Sequence, residues 1–188
     1  MRHGLDTLKI ALGVAPALSV KAELIRLVPF ADLLHCTPPN WLYTSGRPNR
    51  YNPAGVECIY FSATREVAQA EYESMWHGML GEHQPVTTFF ADVAVKRVLD
   101  LTDAATLKAM KVDPRELFKN WRRAKRPTLT QLLGQAVTET KNFSAIRYPS
   151  AAAGGRAGAN FVIFRHCIRA PDSVRIVGPT KRPLEKWP

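Results

Sequence analysis

The sequence predicts a single domain of α/β or α+β architecture. Its 188 residues suit one domain with its own core and are too few for two ordinary domains. Segments typical of strands stand towards both ends of the chain, with helical segments between them, as in folds that mix the two elements. A hydrophobic fraction of 46% and the lack of an apolar run of membrane-spanning length fit a protein that folds in water.

The N-terminus is predicted to form a short helix that ends near Pro16. A basic start followed by an apolar run is also typical of a secretory signal. Here, however, Asp6 lies in the basic part, and Gly13 and Pro16 interrupt the apolar run. We therefore expect a terminal helix rather than a signal peptide.

The next segment predicts two strands separated by a long irregular stretch. Residues 22–30, AELIRLVPF, read as a strand stopped by Pro29, and residues 56–62, VECIYFS, read as a buried strand. Residues 31–55 between them contain four prolines, two glycines and three asparagines without a clear period. Loops of this length are uncommon inside compact domains and are usually functional, so this stretch is a candidate for the site.

A helix is predicted at residues 64–80, with Thr64 as its N-cap and Gly81 just past its end. On this helix Glu71 falls among apolar side chains, whereas Glu66 and Glu73 point to the opposite side. The residues that share an arc of roughly 140° with Glu71 are Val67, Ala68, Tyr72, Met75 and Met79. An inward carboxylate needs hydrogen bonds or a cationic partner, so Glu71 is either functional or a structural partner.

The rest of the chain predicts strand, then helices, then strands. Residues 85–101 predict one long strand or two short ones. Three helices are expected, of which the second has Asp113 as cap: DAATLKAM, DPRELFKNWRRAK and TLTQLLGQAVTET. Three more strands are expected at FSAIRYPS, NFVIFRHCI and SVRIV, with the glycine-rich SAAAGGRAGAN between the first two.

Cysteine usage and charge limit the classes of partner. The three cysteines are widely spaced and form no Cys-x-x-Cys pair, which indicates neither a disulfide framework nor a zinc site and fits the cytoplasm. The five histidines form no ligand array, so we predict no metal. The net charge of +10 favours anionic partners, among them phosphate-bearing ligands, nucleic acid and acidic proteins.

The strongest basic cluster is predicted to lie on a helix at residues 115–126, around Trp121. We interpret it as a solvated helix face, with docking of an acidic protein partner as a further use. A nucleic-acid surface is the remaining alternative, but no recognised reading motif surrounds the cluster, and we do not expect direct nucleic-acid binding.

Several isolated residues are candidates for anion binding. Arg26 and Arg50 bracket the irregular stretch, and each is either a surface charge or a bidentate phosphate ligand. Ser150 precedes the glycine-rich segment, which is either a flexible hairpin loop or an anion cradle. Covalent hydrolase chemistry has little support, because no Gly-x-Ser-x-Gly motif occurs and no cysteine lies in a nucleophile setting.

Five short motifs occur in a specific order. They are IRLVP with Arg26, RYNPAG with Arg50, CIYFSA with Tyr60, AQAEY with Glu71, and IRYPSA with Ser150, followed by NFVIF. This order resembles the RES domain, a family named for its Arg, Glu and Ser residues and found in toxins of bacterial Xre–RES toxin–antitoxin pairs. The resemblance covers residues 23–177, which we assign to the domain. Residues 1–22 are then an N-terminal extension and residues 178–188 a C-terminal tail.

Two positions depart from the family pattern. The turn reads GRPNRYNPAG where the family commonly has glycines directly before the Arg, which makes Arg47 a rival to Arg50, and Tyr51 replaces the frequent Trp. After Ser150, three alanines come first and Arg156 is the nearest cation, whereas the family often has a basic residue at once.

The resemblance implies an α+β domain like that of the ADP-ribosyltransferases, with a mixed β-sheet core and helices around it. It also implies an activity on NAD that cleaves the bond between nicotinamide and ribose. Glu71 would stabilise the positive ribosyl centre or orient the acceptor. Ser150 would hydrogen-bond the nicotinamide ribose or amide.

The remaining motif residues would bind the substrate. Arg50 and Arg26, with Arg47 as the rival, would hold the pyrophosphate of NAD or an acceptor phosphate. Tyr60 and Tyr51 would offer aromatic surface to the nicotinamide.

The acceptor decides the name of the reaction: water gives hydrolysis, inorganic phosphate gives phosphorolysis, and a protein side chain gives ADP-ribosylation. The sequence does not separate these three. We expect an NAD-consuming toxin neutralised by a cognate Xre-type antitoxin that covers the active site. The competing class is a nucleic-acid-binding module in which Glu71 is structural.

Overall fold

The computed structural model describes residues 4–35, 42–44, 46–76, 84–152, 158–180 and 182–188. They form one mixed β-sheet with α-helices around it, which confirms the predicted α+β class. The helices are α1 (Leu5–Val14), α2 (Phe30–His35), α3 (Arg65–Trp76), α4 (Ala104–Ala109) and α5 (Leu129–Thr140). The strands are β1 (Ala17–Pro29), β2 (Ile59–Ser62), β3 (Val86–Asp100), β4 (Ala145–Pro149), β5 (Ala159–Ile163), β6 (Ser173–Val177) and β7 (Pro183–Trp187). Within these ranges no helix is long and apolar enough to cross a membrane.

The sheet has the strand order β1-β2-β5-β4-β3-β6-β7. Because β1 also pairs with β3, five strands close into a ring, and β6 and β7 extend the sheet beyond it. The pairing of β3 with β4 is parallel, and the other pairings of these strands are antiparallel. β3 is one continuous strand of 15 residues, long enough to pair with β1 along one edge and with both β6 and β4 along the other.

Two clusters of buried hydrophobic residues pack on opposite faces of the strands. Ile146 and Val162 belong to the cluster that includes α1 and α5, whereas their neighbours Ala145 and Phe161 belong to the other. Successive side chains of a strand point to opposite faces, so this alternation shows that both faces are covered. The cover on both sides explains why all five residues of β5 are buried.

Helix α3 matches the helix predicted at 64–80 at its N-terminus. Thr64 is confirmed as the N-cap, because the backbone N–H of Val67 donates to Thr64 Oγ1 at 3.3 Å. Beyond residue 76, Met79 and the predicted terminator Gly81 lie outside the described residues.

The continuous helix predicted over the basic residues 115–126 is wrong. The chain forms two short 3₁₀ turns there, Pro114–Phe118 and Trp121–Arg123. The side chain of Asn120 caps the second turn by accepting from the N–H of Arg122 at 3.0 Å. Such a local bond to the backbone competes with a continuous helical ladder, which accounts for the break.

Both ends of the chain contribute to this fold. The predicted N-terminal helix is α1, and it packs on α5 through Leu8 and Leu12, which are 0% and 2% exposed. β1 begins at Ala17, five residues before the predicted strand. Near the C-terminus, β7 pairs with β6 and buries Trp187, so the predicted tail includes a strand that its sequence does not reveal.

Candidate active site

Glu71 on α3 is hydrogen-bonded to residues of the sheet. Its Oε1 accepts one hydrogen bond from Ser150 Oγ and another from Asn160 Nδ2, both at 2.7 Å. Among the described residues, Oε2 has no hydrogen-bond partner and Glu71 forms no ion pair. Two neutral donors therefore hold the carboxylate through one oxygen, while no cation of the described residues pairs with it and none of them bonds its second oxygen.

The helical arc that predicts an inward Glu71 agrees with its position. Glu71 is half-buried, whereas Glu66 and Glu73 are exposed. Met75, which the same arc places inside, is 51% exposed. The buried face of α3 therefore ends about one turn earlier than predicted.

The pairing of three strands brings the partners of Glu71 together. Asn160 in β5 lies directly opposite Ser62 in β2 on one side and Tyr148 in β4 on the other. Ser62 Oγ donates to Asn160 Oδ1 at 2.8 Å. Ser150 follows the end of β4, and its hydroxyl also accepts a backbone N–H two residues later at 3.2 Å. The carboxylate is thus anchored at the point where β2, β5 and β4 meet.

Tyr148 is a buried residue of β4 that packs against the turn carrying Arg50. Its ring packs on Tyr51 with a centroid distance of 4.4 Å. Burial raises the pKa of the Tyr148 phenol well above its usual value; the nearby Tyr51 and Glu71 add to this, and Arg50 opposes it. The phenol therefore stays neutral at physiological pH. The charges of Glu71 and Arg50 thus act in opposite directions on this one phenol.

Arg50 is carried by a turn that Asn52 organises. Asn52 is fully buried; its Nδ2 donates to the carbonyl oxygen of Arg47 at 2.7 Å, and its Oδ1 accepts from the hydroxyl of Tyr60 at 2.9 Å. The Tyr60 hydroxyl in turn accepts the backbone N–H of Tyr51 at 2.8 Å. Arg50 itself is half-buried and forms no ion pair with the described residues, while Arg47 is exposed.

Helix α5 supports this turn from the other side. Thr128 and Gln131 form a capping box at its start, and Gln131 Nε2 also donates to the carbonyl oxygen of Asn49 at 3.1 Å. One helical turn later, Gly134 lies against the backbone of Tyr51, so closely that a side chain would overlap the Tyr51 carbonyl oxygen. The turn and the helix are therefore in direct backbone contact.

The side chain of Arg26, from β1, bonds the backbone of β2. Its Nη1 donates to the carbonyl oxygen of Tyr60 at 2.9 Å, and its Nε is buried without a hydrogen-bond partner. Burial lowers the pKa of the Arg26 guanidinium from its usual value, although Cys58 and Asp32 oppose this. No carboxylate of the described residues forms an ion pair with it. A desolvated guanidinium with unused donors is well suited to hold an anion.

The buried thiol of Cys58 is not a candidate nucleophile. Burial raises the pKa of Cys58 to about 12, with the hydrogen bond from Thr44 acting in the opposite direction. At neutral pH the group is therefore a thiol, and the thiolate is the reactive form. Cys167 is buried as well, and Cys36 lies outside the described residues.

The family model of the RES domain matches residues 32–185. The chain belongs to the RES domain family. A chain in the crystal structure of the M. tuberculosis MbcT–MbcA toxin–antitoxin complex has a similar fold, with a TM-score of 0.69, 17% sequence identity and coverage of 93% of both chains. At this identity the likeness shows the fold alone. No curated protein matches the sequence.

The structure brings together some of the RES-domain residues predicted from the sequence. Glu71 and Ser150 are joined by a hydrogen bond, and Arg50 precedes Tyr51, whose ring packs on Tyr148 in the strand before Ser150. The Ser150 hydroxyl donates a hydrogen bond to Glu71, and the Tyr60 hydroxyl donates to Asn52 within the turn. Tyr51 is 0% exposed, which leaves no ring surface for a ligand, in contrast to the expectation for this residue.

Three residues of this RES-domain site are absent from the sequence-based prediction: Ser62, Tyr148 and Asn160. They lie in the motifs CIYFSA, IRYPSA and NFVIF, respectively, each at the end or the start of a strand segment. A polar residue bordering an otherwise apolar strand is a signal, because burial of such a group requires a partner. This pattern does not show which residue is the hydrogen-bond partner, because the partner is distant in the sequence.

Proposed function

We propose that this RES-domain protein is the toxin of a toxin–antitoxin pair and that it cleaves the nicotinamide–ribose bond of NAD. The observation that carries this proposal is the Glu71 carboxylate, fixed by Ser150 and Asn160 with one oxygen free and without a cation of the described residues beside it. Membership of the RES domain family supports the same function. The likeness to the ADP-ribosyltransferase fold stays a prediction.

The geometry suits this reaction for an electrostatic reason. When nicotinamide departs, the ribosyl centre becomes positive at C1′, as in other glycosyl transfers. A carboxylate that is already fixed in place stabilises this charge without having to reorganise. Oε2 of Glu71 is the oxygen available for that role or for orienting the acceptor, because Oε1 already accepts two hydrogen bonds.

Two arginines are the candidate ligands for the pyrophosphate of NAD. Arg50 and Arg26 lack a carboxylate partner in the described part of the chain, and the Nε of Arg26 is buried and unsatisfied. A phosphate oxygen would satisfy such donors with charge-assisted hydrogen bonds. The acceptor, whether water, inorganic phosphate or a protein side chain, then decides between hydrolysis, phosphorolysis and ADP-ribosylation.

An antitoxin partner is part of this proposal. The structural neighbour is a toxin–antitoxin complex, and the net charge of +10 suits an acidic protein that covers the site. A Xre-type antitoxin is the partner that the family resemblance suggests.

The assay that tests the proposal follows nicotinamide release from NAD by the purified protein, with and without inorganic phosphate. We expect release under at least one condition. Mass spectrometry then separates the acceptors: ADP-ribose indicates water, ADP-ribose with a phosphate on the anomeric carbon indicates phosphate, and a mass increase of a protein indicates ADP-ribosylation. Absence of release under all of these conditions contradicts the proposal.

Replacing Arg50 with alanine should chiefly weaken NAD binding. Loss of a charged hydrogen-bonding partner costs roughly 1.5–3 kcal/mol, which corresponds to an increase in KM of about 10-fold to 150-fold. The measurement is KM and kcat of the variant, with Arg47→Ala as the matched control, because Arg47 lies on the same turn but is exposed. An unchanged KM for Arg50→Ala would move the phosphate-binding role to Arg47 or Arg26.

A nucleic-acid-binding module is the second candidate function. Arg122, Arg123, Lys125 and Arg126 are exposed, and none forms an ion pair with a described residue. Such a cluster binds phosphate backbones with a steep dependence on salt. Salt-sensitive binding of DNA or RNA, together with no nicotinamide release, would favour this module.

A further inference from the structure

We propose that Ser62 and Asn160 are positioning residues that orient the Glu71 carboxylate. The proposal rests on the proposed function, in which Glu71 acts on the ribosyl centre. The three side chains form a chain of hydrogen bonds from β2 through β5 to α3, with Ser62 at the far end. Ser62 lies in the motif CIYFSA and Asn160 in NFVIF, but neither was among the site residues predicted from the sequence.

The direction of every hydrogen bond in this chain is determined. An ionised carboxylate only accepts hydrogen bonds, so Asn160 must turn its NH₂ group towards Glu71. Its Oδ1 then faces Ser62 and can only accept, which makes the Ser62 hydroxyl the donor. Each donor in the chain thus points towards Glu71, and hydrogen bonds aligned in this way strengthen one another.

The location of the pair argues for a role beyond strand pairing. Ser62 is 7% exposed and Asn160 is 4% exposed, and they lie opposite each other in strands that are otherwise largely apolar. Burial of two polar side chains costs free energy, and an apolar pair would stabilise the strands at least as well. The amide group of Asn160 instead accepts from the buried Ser62 hydroxyl on one side and donates to the Glu71 carboxylate on the other. Ser62 can therefore fix the orientation of the amide, and the amide that of the carboxylate.

The result is a carboxylate held by one oxygen from two sides. Ser150 and Asn160 both donate to Oε1 at 2.7 Å, so rotation of the carboxylate group would break at least one bond. Oε2 is therefore presented in one direction. Because this orientation matters when charge develops at the ribose, loss of Asn160 should lower kcat more than it raises KM.

The main test compares Asn160→Leu with wild-type protein in the nicotinamide-release assay. Leucine has a similar size and removes the donor without adding charge. Loss of a hydrogen bond to a charged group corresponds to about 10-fold to 100-fold in rate, so we expect a drop of that size in kcat with KM changed by less than about threefold. A rise in KM by as large a factor as the fall in kcat would overturn the proposal, and so would a kcat within about twofold of wild type.

A second pair of variants separates positioning from folding. Ser62→Ala removes the donor to Asn160 and should lower kcat about threefold to tenfold, the worth of one neutral hydrogen bond, whereas Ser62→Thr keeps the hydroxyl and should keep kcat near the wild-type value. The matched control is Ser144→Ala, because Ser144, like Ser62, is a buried serine with a side-chain acceptor, in this case the carboxylate of Asp172 at 2.9 Å. If Ser144→Ala lowers kcat as much as Ser62→Ala does, or if threonine fails to rescue, Ser62 has only a structural role.

A spectroscopic readout keeps this proposal separate from the proposed function. The Nδ2 protons of Asn160 should give shifted, slowly exchanging NMR signals in wild-type protein, and these should move in both Glu71→Gln and Ser62→Ala. Protein that shows these signals but releases no nicotinamide would contradict the NAD-cleaving function and leave the hydrogen-bonded chain standing. If the Nδ2 signals stay unchanged in both variants, the hydrogen-bonded chain is contradicted, whether or not the protein releases nicotinamide.

Discussion

Replacing Glu71 with glutamine should abolish nicotinamide release while the protein stays folded. The amide has nearly the same shape, and its oxygen can still accept from Ser150 and Asn160, so the local packing is kept. It carries no charge, however, and cannot stabilise a positive ribosyl centre. Removal of a preorganised electrostatic group costs about 100-fold to 1000-fold in kcat, and we expect at least that. Steady-state kinetics and a thermal unfolding curve are the two measurements.

The control for this prediction is Glu73→Gln on the same helix. Glu73 is exposed and accepts a hydrogen bond from the neighbouring Gln69 at 2.8 Å. Surface substitutions of this kind change stability by less than about 0.5 kcal/mol, and we expect kcat to remain near the wild-type value. Equal losses from both substitutions would contradict the assignment of Glu71 as the inward, functional carboxylate.

Patterns between neighbouring residues explain which elements could be predicted. Thr64 and the apolar spacing after it define the start of α3 and the direction of Glu71, because a helix is stabilised by bonds and contacts within a few residues. The Val- and Phe-rich run from residue 86 likewise predicts a strand, although only the sheet shows that it is continuous over 15 residues. The same local reasoning failed at 115–126, where Asn120 starts a separate 3₁₀ turn.

Contacts between distant strands explain which parts of the site could not be predicted. Ser62 and Asn160 are 98 residues apart in the sequence, and their hydrogen bond depends on the register of β2 against β5. A slip of one residue would turn each side chain to the other face of the sheet, so no local pattern encodes the pair. The motif resemblance named Glu71 and Ser150 but not the amide that lies between Ser62 and the carboxylate.

Burial also changes the role expected of an aromatic residue in the turn. Tyr51 follows Arg50 in a motif that suggests ligand contact, yet its ring is fully buried against Tyr148. Its contribution to the site is therefore indirect: it fixes the turn that carries Arg50 and closes one side of Tyr148. The position of Tyr51 next to Arg50 in the sequence predicts that it is near the site. Only the packing of the turn shows that its ring points inward onto Tyr148.

Replacing Gly134 with alanine should damage both stability and activity, although the substitution lies in a helix and adds a single methyl group. A Cβ at this position would lie 1.6 Å from the carbonyl oxygen of Tyr51 and 2.7 Å from its carbonyl carbon. The obstacle is backbone, so no side-chain rotation relieves it, and the turn must move away from α5. Overpacking in a well-packed region costs about 1–3 kcal/mol, and we expect a loss at the upper end of this range.

Displacement of the turn that carries Arg50 should also change the geometry of the candidate active site. Arg50 precedes Tyr51, and the ring of Tyr51 packs on Tyr148, so the displacement moves the guanidinium and the aromatic pair together. A misplacement of about 1 Å can cost 100-fold in rate, and we expect nicotinamide release to fall by a comparable factor. Denaturant unfolding gives the stability change, and assays at temperatures well below the transition separate the loss of activity from unfolding.

The matched control is Gly13→Ala in α1. The substitution is chemically identical and also lies within a helix, but nothing lies within 4 Å of the added Cβ. In a helix interior alanine is favoured over glycine by about 1 kcal/mol, so Gly13→Ala should leave activity unchanged and increase the free energy of unfolding by up to that amount. Opposite signs for the two variants would show that contact with the Tyr51 backbone, rather than helix propensity, requires glycine at 134. If Gly134→Ala stabilises the protein as well, the turn does not pack against α5 as described, and the position of the turn that carries Arg50 loses its support.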